Sequence, residues 1–399
     1  MSINIFSADF KVKSHQSYAR MRKEQPIYPI TLPGGFRGWL VTKYKHAQEI
    51  MNNPQFIKDP HVFPEKNHYR FFPDDYREFF MSHLLNTDLP DHTQLRRFVQ
   101  PTFTPKAINR QEQMIEELTN KLIDDIEKQG KEFCLIKDFA FPLPFLVIAQ
   151  MLGIPSKDMR DFQKWSNIII EAINDPVAMK AGEPYYKLFF SYLKKLVALK
   201  TAKPEEDLIS AWIQAREEGE KLSEDQLFGM IVLLILAGHE TTVNLIGNSI
   251  LALMQHREQW EELKQDNNLI PSALEEVLRF YSPIEVATAR WAKEDIGLEG
   301  QQIRQGDTIF IVLASINRDE ELVPDGDVFN IHRKPVKHMA FGHGIHYCLG
   351  APLARLEGEI ALRVLVNRMP NLSMTITDEQ LSYRPGFLLR GLVGLPVRY

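Results

Sequence analysis

The most informative stretch of this chain is FGHGIHYCLG, from Phe341 to Gly350. It places Cys348 among three glycines and two histidines, directly before an apolar run with helical spacing. The chain has 399 residues and only two cysteines, so the function of this sulfur needs an explanation. Three roles compete: a buried structural thiol, a zinc ligand together with His343 and His346, and an iron ligand.

The residues around Cys348 favour iron, although they leave the other two roles open. Structural zinc sites usually combine two closely spaced ligand pairs, and no second pair lies near this stretch. The glycines at 342, 344 and 350 would let the backbone pass close to a flat cofactor and turn its N–H groups toward the sulfur. The following helix would add its positive end, which lowers the pKa of a thiol and holds a thiolate.

The composition is typical of a globular protein, and the two cysteines suit a reducing compartment. The formal net charge of −5 argues against a nucleic-acid partner, which usually needs a basic face. Cys134 and Cys348 cannot build a disulfide framework. The N-terminal residues contain no signal-like apolar stretch, and the longest apolar run, from Met230 to Gly238, has about half the length that a bilayer requires. We therefore expect a cytoplasmic protein without a membrane anchor.

Apolar periodicity predicts a mainly α-helical chain with small β-sheets at its edges, forming one domain over residues 1–399. The central element is a long helix from Leu227 to Met254, apolar nearly all round in its first half. The other predicted elements are a β-hairpin around Pro33-Gly34-Gly35, a helix carrying Ile115, Leu118, Leu122 and Ile126, a helix begun by a capping box of Ser272 and Glu275, a buried strand in DTIFIVLAS, and a helix with Leu349, Leu353, Leu356, Ile360 and Val364 on one face.

The stretch AGHETT, Ala237 to Thr242, lies in the middle of the predicted central helix. Ala237 and Thr241 are four residues apart, so they share a helical face on which small side chains leave room for a ligand. Glu240 stands in an otherwise apolar surround, beside that hydroxyl. An acid next to a hydroxyl is an arrangement for proton delivery. The alternative is a local irregularity of the helix, such as a kink.

Two more stretches pair charged residues at helical spacing. In ALEEVLRF, Glu276 and Arg279 are three apart and can form an ion pair. In LPDHTQLRRFVQPTFTP, His92 and Arg96 are four apart, so that a helix would aim both at one anion. Each pattern alone is more often an ordinary surface ion pair or a charged helix face.

Taken in order, these stretches resemble the cytochrome P-450 family. FGHGIHYCLG with APLARLE matches the haem-binding signature FGxGxHxCxG, AGHETT matches AGxE/DTT, and the other two match ExxR and PxHTxxRxxVxxxFTP. The resemblance covers nearly the whole chain. Asn330 departs from it, because the family commonly has aspartate there. The resemblance implies the P-450 fold, a triangular prism-like single domain with haem between the central helix and the cysteine loop.

The resemblance also implies a role for each matching residue. Cys348 would be the axial thiolate ligand of the haem iron, and Glu240 with Thr241 would relay protons to dioxygen. The implied haem-propionate contacts are His92, Arg96, Arg290 and His346. The implied structural clamp behind the haem loop is Glu276, Arg279 and Arg333. The implied substrate-pocket residues are Leu236, Ala237, Ile284, Val286, Ala287, Phe387 and Leu388, with Glu285 and Arg390 as polar handles.

The implied activity is that of a haem-thiolate monooxygenase, which uses haem b and dioxygen to oxidise a lipophilic small molecule. Electrons would come from NAD(P)H through a separate ferredoxin or flavodoxin with its reductase. The basic run His332-Arg333-Lys334 with Lys337 would help to dock an acidic carrier.

The residues of AGHETTVNLIGNS and LLRGLVGLPV resemble sequences of the subfamily that tailors polyketides and macrolides. A metabolite of that kind is therefore the first choice of substrate. A fatty acid or a fatty acyl chain on a carrier protein is the second choice, and a steroid or terpenoid the third. A peroxide-driven peroxygenase and a non-catalytic haem-thiolate sensor are alternatives from other classes. The Glu240-Thr241 pair argues against both, because neither class needs an acid and an alcohol that relay protons.

Overall fold

The computed structural model describes residues 5, 8–32, 34–64, 74–172, 176–217, 222–333, 338–384 and 386–399. Its helices are α1 (Ala8–Val12), α2 (Ser14–Glu24), α3 (Tyr44–Asn52), α4 (Asp74–Met81), α5 (Asp91–Val99), α6 (Pro105–Asn109), α7 (Glu112–Gln129), α8 (Pro142–Met151), α9 (Met159–Ala172), α10 (Pro176–Ala202), α11 (Leu208–Glu217), α12 (Glu224–Gln255), α13 (Arg257–Gln265), α14 (Ile270–Phe280), α15 (Leu313–Ile316) and α16 (Ala351–Arg368). Short 3-10 helices span Leu84–Asn86, Gln100–Phe103, Asn267–Leu269, Gly344–His346 and Asp378–Gln380, and a π-helix spans Leu135–Ala140.

The strands form three small sheets. They are β1 (Ile27–Thr31), β2 (Arg37–Val41), β3 (Phe56–Ile57), β4 (Glu132–Cys134), β5 (Arg290–Ala292), β6 (Ile296–Leu298), β7 (Gln301–Ile303), β8 (Thr308–Ile311), β9 (Ser373–Met374) and β10 (Pro396–Arg398). The largest sheet has the order β1-β2-β8-β5-β3, and the others are β4-β10-β9 and β6-β7. In the largest sheet only the β2–β8 pair is parallel among the described strands. A mainly helical chain with small sheets was predicted, and this is confirmed.

The predicted hairpin is β1 and β2, which pair antiparallel with Ile27 opposite Val41. Gly34 and Gly35 make the turn in left-handed backbone, with φ of +85° and +79°, a conformation that other residues adopt only with strain. Pro33, which the prediction included in this turn, lies outside the described residues. The stretch DTIFIVLAS is strand only in its first half, because the chain turns into α15 directly after Val312.

The predicted capping box at Ser272 and Glu275 is wrong. Helix α14 begins two residues earlier, at Ile270, with a proline in its first turn. The Ser272 hydroxyl instead donates to the carbonyl oxygen of Ile331 at 2.6 Å. Glu275 binds Arg355 and His338 on other elements. The side chains that a local pattern assigned to the helix end are thus used in tertiary contacts.

The predicted helices around α7, α12 and after Cys348 are confirmed, with small changes in which side chains are buried. In α7 the buried positions are Ile115, Thr119, Ile123 and Ile126, while Leu118 and Leu122 stay half-buried. Helix α12 is long and apolar enough to cross a membrane, the one such helix within the described residues. In its most apolar window 67% of the residues are buried inside the protein.

Contact density divides the chain into two compact units, so the single domain over residues 1–399 stays a prediction. The first unit comprises Met1–Ile57, Glu112–Leu143 and Thr241–Tyr399, and the second comprises Lys58–Gln111 and Pro144–Glu240. The described strands all belong to the first unit, where α3 and the largest sheet share a core around Val41, Ile50 and Ile311. The second unit is built of helices, and in its core the ring of Phe79 packs against the rings of Phe190 and Phe228.

Candidate active site

The cysteine loop folds back on itself before α16 begins. The backbone N–H of Cys348 donates to the carbonyl oxygen of Phe341 at 2.8 Å, which closes the loop. Gly342 and Gly344 have φ of +74° and +71°, so both positions favour glycine. At Gly344 a Cβ atom would also lie 3.3 Å from the carbonyl oxygen of Met51, because the loop packs on α3. That these glycines let the backbone approach a flat cofactor stays a prediction, and the contact of Gly344 with α3 carries no sequence signal.

The third glycine differs from the other two. Gly350 has a φ of −81° and is the N-cap of α16, which starts at Ala351. Cys348 therefore precedes the positive end of an 18-residue helix by three positions, and that end favours a thiolate. The Cys348 side chain is half-buried, which suits a ligand more than a core thiol. Within the described residues, no three His, Cys, Asp or Glu side chains cluster as metal ligands, so the zinc alternative with His343 and His346 has no geometric support.

A salt bridge missed by the sequence analysis holds this loop to α14. Arg355, on α16, donates to both carboxylate oxygens of Glu275 at 2.6 and 3.0 Å. Its guanidinium also lies 4.5 Å from the centre of the Phe341 ring. Burial raises the pKa of the Glu275 carboxyl, but hydrogen bonds from His338 and Arg355 outweigh it and lower that pKa to about 2. Glu275 and Arg355 each adjoin a motif in the sequence, yet only the packing of α14 on α16 makes them partners.

The AGHETT stretch divides into a packed side and an accessible side of α12. Gly238 lies against α8, where a Cβ atom would approach Ile148 to 2.9 Å, and His239 is buried with its ring edge against Phe145. Ala237 is exposed and Thr241 is half-buried, although every residue from 242 to 250 is buried. The helix face that carries Ala237 and Thr241 is thus less buried than the side that carries Gly238 and His239, and its role in binding a ligand stays a prediction. Leu236 and Glu240 are half-buried beside it.

The three residues of the expected clamp come together in the first unit. Arg279 binds Glu276 through two hydrogen bonds of 2.8 and 2.7 Å, and Arg333 reaches the same carboxylate at 3.3 Å. Arg279 also donates to the carbonyl oxygens of Asn317, Gly326 and Val328, so the clamp fixes the segment between α15 and Arg333. Asn330 in place of aspartate is accommodated, since its backbone N–H donates to Glu276 and its side-chain oxygen accepts from the N–H of His332.

Two of the expected propionate contacts lie in each unit. In the first unit Arg290, on β5, is 7% exposed. Strand β5 pairs with β3, and β3 follows soon after α3 in the chain. The last residues of α3 lie against Gly344 of the cysteine loop. His346 ends the short helix before Cys348. In the second unit His92 and Arg96 lie on α5. Burial, and secondly the charge of Arg96, lower the pKa of His92 to about 4, so His92 is a neutral donor at physiological pH.

The expected pocket residues of the first unit form one corner. The backbone N–H groups of Glu285 and Val286 donate to the carbonyl oxygen of Leu388 at 2.8 and 3.1 Å. Ile284, Ala287, Phe387 and Leu388 are half-buried there, which leaves part of each side chain accessible. Val286 differs, because it is fully buried in a core cluster and does not present its side chain to an accessible wall.

The expectation that Glu285 and Arg390 serve as polar handles for substrate is wrong. Glu285 is 0% exposed and binds the ammonium of Lys11 at 2.7 Å. Arg390 is 4% exposed and donates to the carbonyl oxygen of Lys11 and to the hydroxyl of Ser14. Both charges belong to a buried network that ties the N-terminal helices to the last turn of the chain.

Two residues of the basic run expected to dock a redox carrier, His332 and Arg333, contact carboxylates of this chain. His332 lies 2.5 Å from a carboxylate oxygen of Glu262, and Arg333 belongs to the clamp. Lys334 and Lys337 lie outside the described residues.

In the first unit, a half-buried cysteine lies three residues before the N-terminus of α16, and the buried guanidinium of Arg290 lies on β5. A thiol and a cation of this kind fit a haem held by a thiolate. The chain belongs to the cytochrome P450 family, whose model, described as Cytochrome P450, matches residues 2–390. Members of this family are haem b monooxygenases that receive electrons from redox partners.

Known relatives match the chain over nearly its full length. A cytochrome P450 of Bacillus subtilis (strain 168) is 43% identical over 98% of this chain and 96% of its own. The polyketide biosynthesis cytochrome P450 PksS of the same strain is 39% identical over 95% of this chain and 94% of its own. The solved structure of PksS, from the bacillaene polyketide synthase, superposes with a TM-score of 0.92 and covers 99% of both chains.

A second solved structure shows a relative in complex with a fatty acid ligated to a carrier protein. P450BioI in complex with hexadec-9Z-enoic acid ligated acyl carrier protein superposes with a TM-score of 0.89 at 36% identity. It covers 98% of this chain and 100% of that chain. The P450 fold expected from the sequence is therefore confirmed.

Proposed function

We propose that this protein oxidises a lipophilic polyketide or macrolide-like metabolite at a haem held by Cys348. The observation that carries the thiolate site is the loop geometry, in which two left-handed glycines and the N-terminus of α16 flank the sulfur. The likeness to PksS over nearly the whole chain supports the substrate class.

The other site residues have distinct tasks in this proposal. Arg290 and His346, together with His92 and Arg96, would bind the haem carboxylates, with the guanidinium groups supplying the positive charge. Thr241 and Glu240 would pass protons along the accessible face of α12, while the neighbouring small side chain of Ala237 leaves space for substrate. Haem, when bound, supplies the activation of dioxygen.

The corner formed by Ile284, Ala287, Phe387 and Leu388 would contact the apolar part of the substrate, because these side chains are apolar and partly accessible. Electrons would arrive from a ferredoxin or flavodoxin with its reductase, in the cytoplasm. A second substrate class, a fatty acyl chain on a carrier protein, is favoured by the likeness to P450BioI.

The first test is the spectrum of the dithionite-reduced protein with and without carbon monoxide. We expect a strongly red-shifted Soret band in the wild type and its loss in Cys348→Ala, whereas Cys134→Ala should keep it. A band typical of histidine-ligated haem in folded wild-type protein would contradict the assignment of Cys348.

The second test ranks substrates by the change in haem spin state. A macrolide aglycone, a fatty acyl carrier protein and a steroid are titrated in parallel at equal concentrations. We expect the macrolide aglycone to have the lowest Kd of the three. Tighter binding of the acyl carrier protein would favour the second substrate class instead.

A further inference from the structure

A cleft of about 320 Å³ lies in the first unit, and its lining includes no residue of the cysteine loop and none of the four side chains of the pocket corner. It is bounded by α2, the end of α14, the segment after α15 and the C-terminal turn. The residues of its inner wall are His15, Phe280, Tyr281, Arg318, Tyr383 and Arg390. None of them has a role in the proposed reaction.

The inner wall carries buried positive charge. Arg318 and Arg390 are 6% and 4% exposed. Burial, followed by the charges of Arg318, Arg390 and Arg22, holds the pKa of His15 well below its ordinary value, so His15 is neutral and the guanidinium groups provide the charge. Both ring nitrogens of His15 and the Nε of Arg390 are buried without a hydrogen-bond partner among the described residues. Buried polar groups of this kind normally have partners.

Arg22 adds a cation behind this wall. It follows His15 by seven residues on α2, hence on the same face, and long helical side chains point back toward the N-terminus. One of its nitrogens donates to Ser315, but its Nε and Nη2 are buried and have no partner in the described part of the chain. No carboxylate of the described residues pairs with Arg22, whereas Arg318 is paired with Asp327 at 3.1 Å. Arg390 lies 4.0 Å from the Glu285 carboxylate, which already binds Lys11 at 2.7 Å.

The mouth of the cleft has the opposite charge. Asp378 and Glu379 lie there with the neutral Gln255, which donates to Asp378 at 3.0 Å. An acidic mouth repels every anion, and a doubly charged one more strongly than a singly charged one, so the cleft favours one negative charge over two. The rings of Phe280, Tyr281 and Tyr383 offer apolar contact between the two.

From these observations we infer that the cleft binds a small monocarboxylate, preferably an aromatic one, with its carboxylate on the inner wall. The guanidinium of Arg390 would bind the carboxylate, and the rings would contact the body of the ligand. This cleft includes none of the residues proposed to hold haem, so its ligand is independent of the substrate of the enzyme.

Sodium benzoate is the probe, with sodium phosphate and sodium chloride compared at equal ionic strength. The haem-loaded protein is first saturated with an azole inhibitor, so that benzoate binding beside the haem does not contribute. We expect one benzoate per chain by calorimetry, and a rise in Tm of about 2 °C at ten times the Kd. An equal or larger effect of phosphate, or no effect of benzoate beyond that of chloride, would overturn the inference.

Matched variants locate the binding. Val12 is 63% exposed at the cleft, so Val12→Trp should obstruct it without disturbing the core and weaken benzoate binding at least tenfold. Leu199→Trp, at an equally exposed position on α10, is its control. Arg22→Met should weaken binding several-fold, whereas Arg20→Met, on the exposed side of α2, should not. Unchanged benzoate affinity in folded Val12→Trp protein would place the ligand elsewhere and refute the site.

Discussion

Neighbouring threonines of α12 face different surroundings, which allows a direct test of the proton path. Thr241 is half-buried on the accessible face, while Thr242 is only 3% exposed. We expect Thr241→Val to keep haem loading and substrate binding but to lower the product formed per NAD(P)H consumed several-fold, with more hydrogen peroxide released. The change keeps the side-chain shape and removes only the hydroxyl.

Thr242→Val is the control, because it removes the same hydroxyl from the packed side of the helix. Its ratio of product to NAD(P)H should match the wild type. Equal ratios in the wild type and Thr241→Val would exclude Thr241 from proton transfer. The same experiments with hydrogen peroxide in place of NAD(P)H test the peroxygenase alternative.

Glu357 on α16 makes stability depend on pH. It is 1% exposed, and burial raises the pKa of its carboxyl from 4.5 to about 8. Between these values the folded protein keeps a proton that the unfolded chain has lost. The free energy of unfolding should therefore fall as pH rises from 4.5 to about 8, by up to about 1.4 kcal/mol per pH unit, and level off above.

Urea unfolding between pH 5 and pH 9 checks this slope. Glu357→Gln removes the titrating group and should flatten it, while Glu24→Gln, at the exposed end of α2, should leave it unchanged. A slope that persists in Glu357→Gln would assign the pH dependence to other groups.

At the scale of elements, α14 and α16 are joined by Glu275 and Arg355. We expect Arg355→Gln to lower the free energy of unfolding by about 1–2 kcal/mol, a modest value because both side chains are about a third exposed. The loop should also release haem faster, since Arg355 contacts Phe341 and donates to the Tyr347 hydroxyl at 3.4 Å. Transfer of haem to apomyoglobin measures that rate.

Arg363→Gln is the matched control on the same helix. Arg363 lies 3.7 Å or more from its carboxylate partners on α7, so its loss should change stability by less than about 0.5 kcal/mol. If both variants released haem at the same rate, the link between α14 and α16 would have no special role in holding the loop.

The sequence predicted those elements whose signals are local. The hairpin turn and the apolar run of α12 each depend on residues close together in the chain, and the structure has both. The capping box failed because Ser272 and Glu275 are claimed by distant partners. Glu285 was misassigned for the same reason, since its partner Lys11 comes from the other end of the chain. Partnerships of this kind depend on tertiary packing, which periodicity does not encode.

At the scale of the whole molecule, Lys11 connects both ends of the chain to the pocket corner. Its ammonium binds Glu285 at 2.7 Å and donates to the carbonyl oxygen of Gly386 at 2.9 Å, next to Phe387 and Leu388. Lys11→Met would leave the Glu285 charge buried, with Arg390 4.0 Å away as its remaining partner. We expect a loss of about 3 kcal/mol in the free energy of unfolding.

The double variant Lys11→Met with Glu285→Gln removes both charges and should recover at least half of that loss, because no unpaired carboxylate then remains buried. Lys13→Met, at an exposed position beside the same network, controls for the loss of a positive charge. The anchored turn carries Phe387 and Leu388, so Lys11→Met should also weaken the spin-state response to substrate, more than the double variant does. The single variant Glu285→Gln completes the comparison. If the losses of the two single variants simply add in the double variant, the pair is not coupled, and the N-terminal helix does not position the pocket corner through this contact.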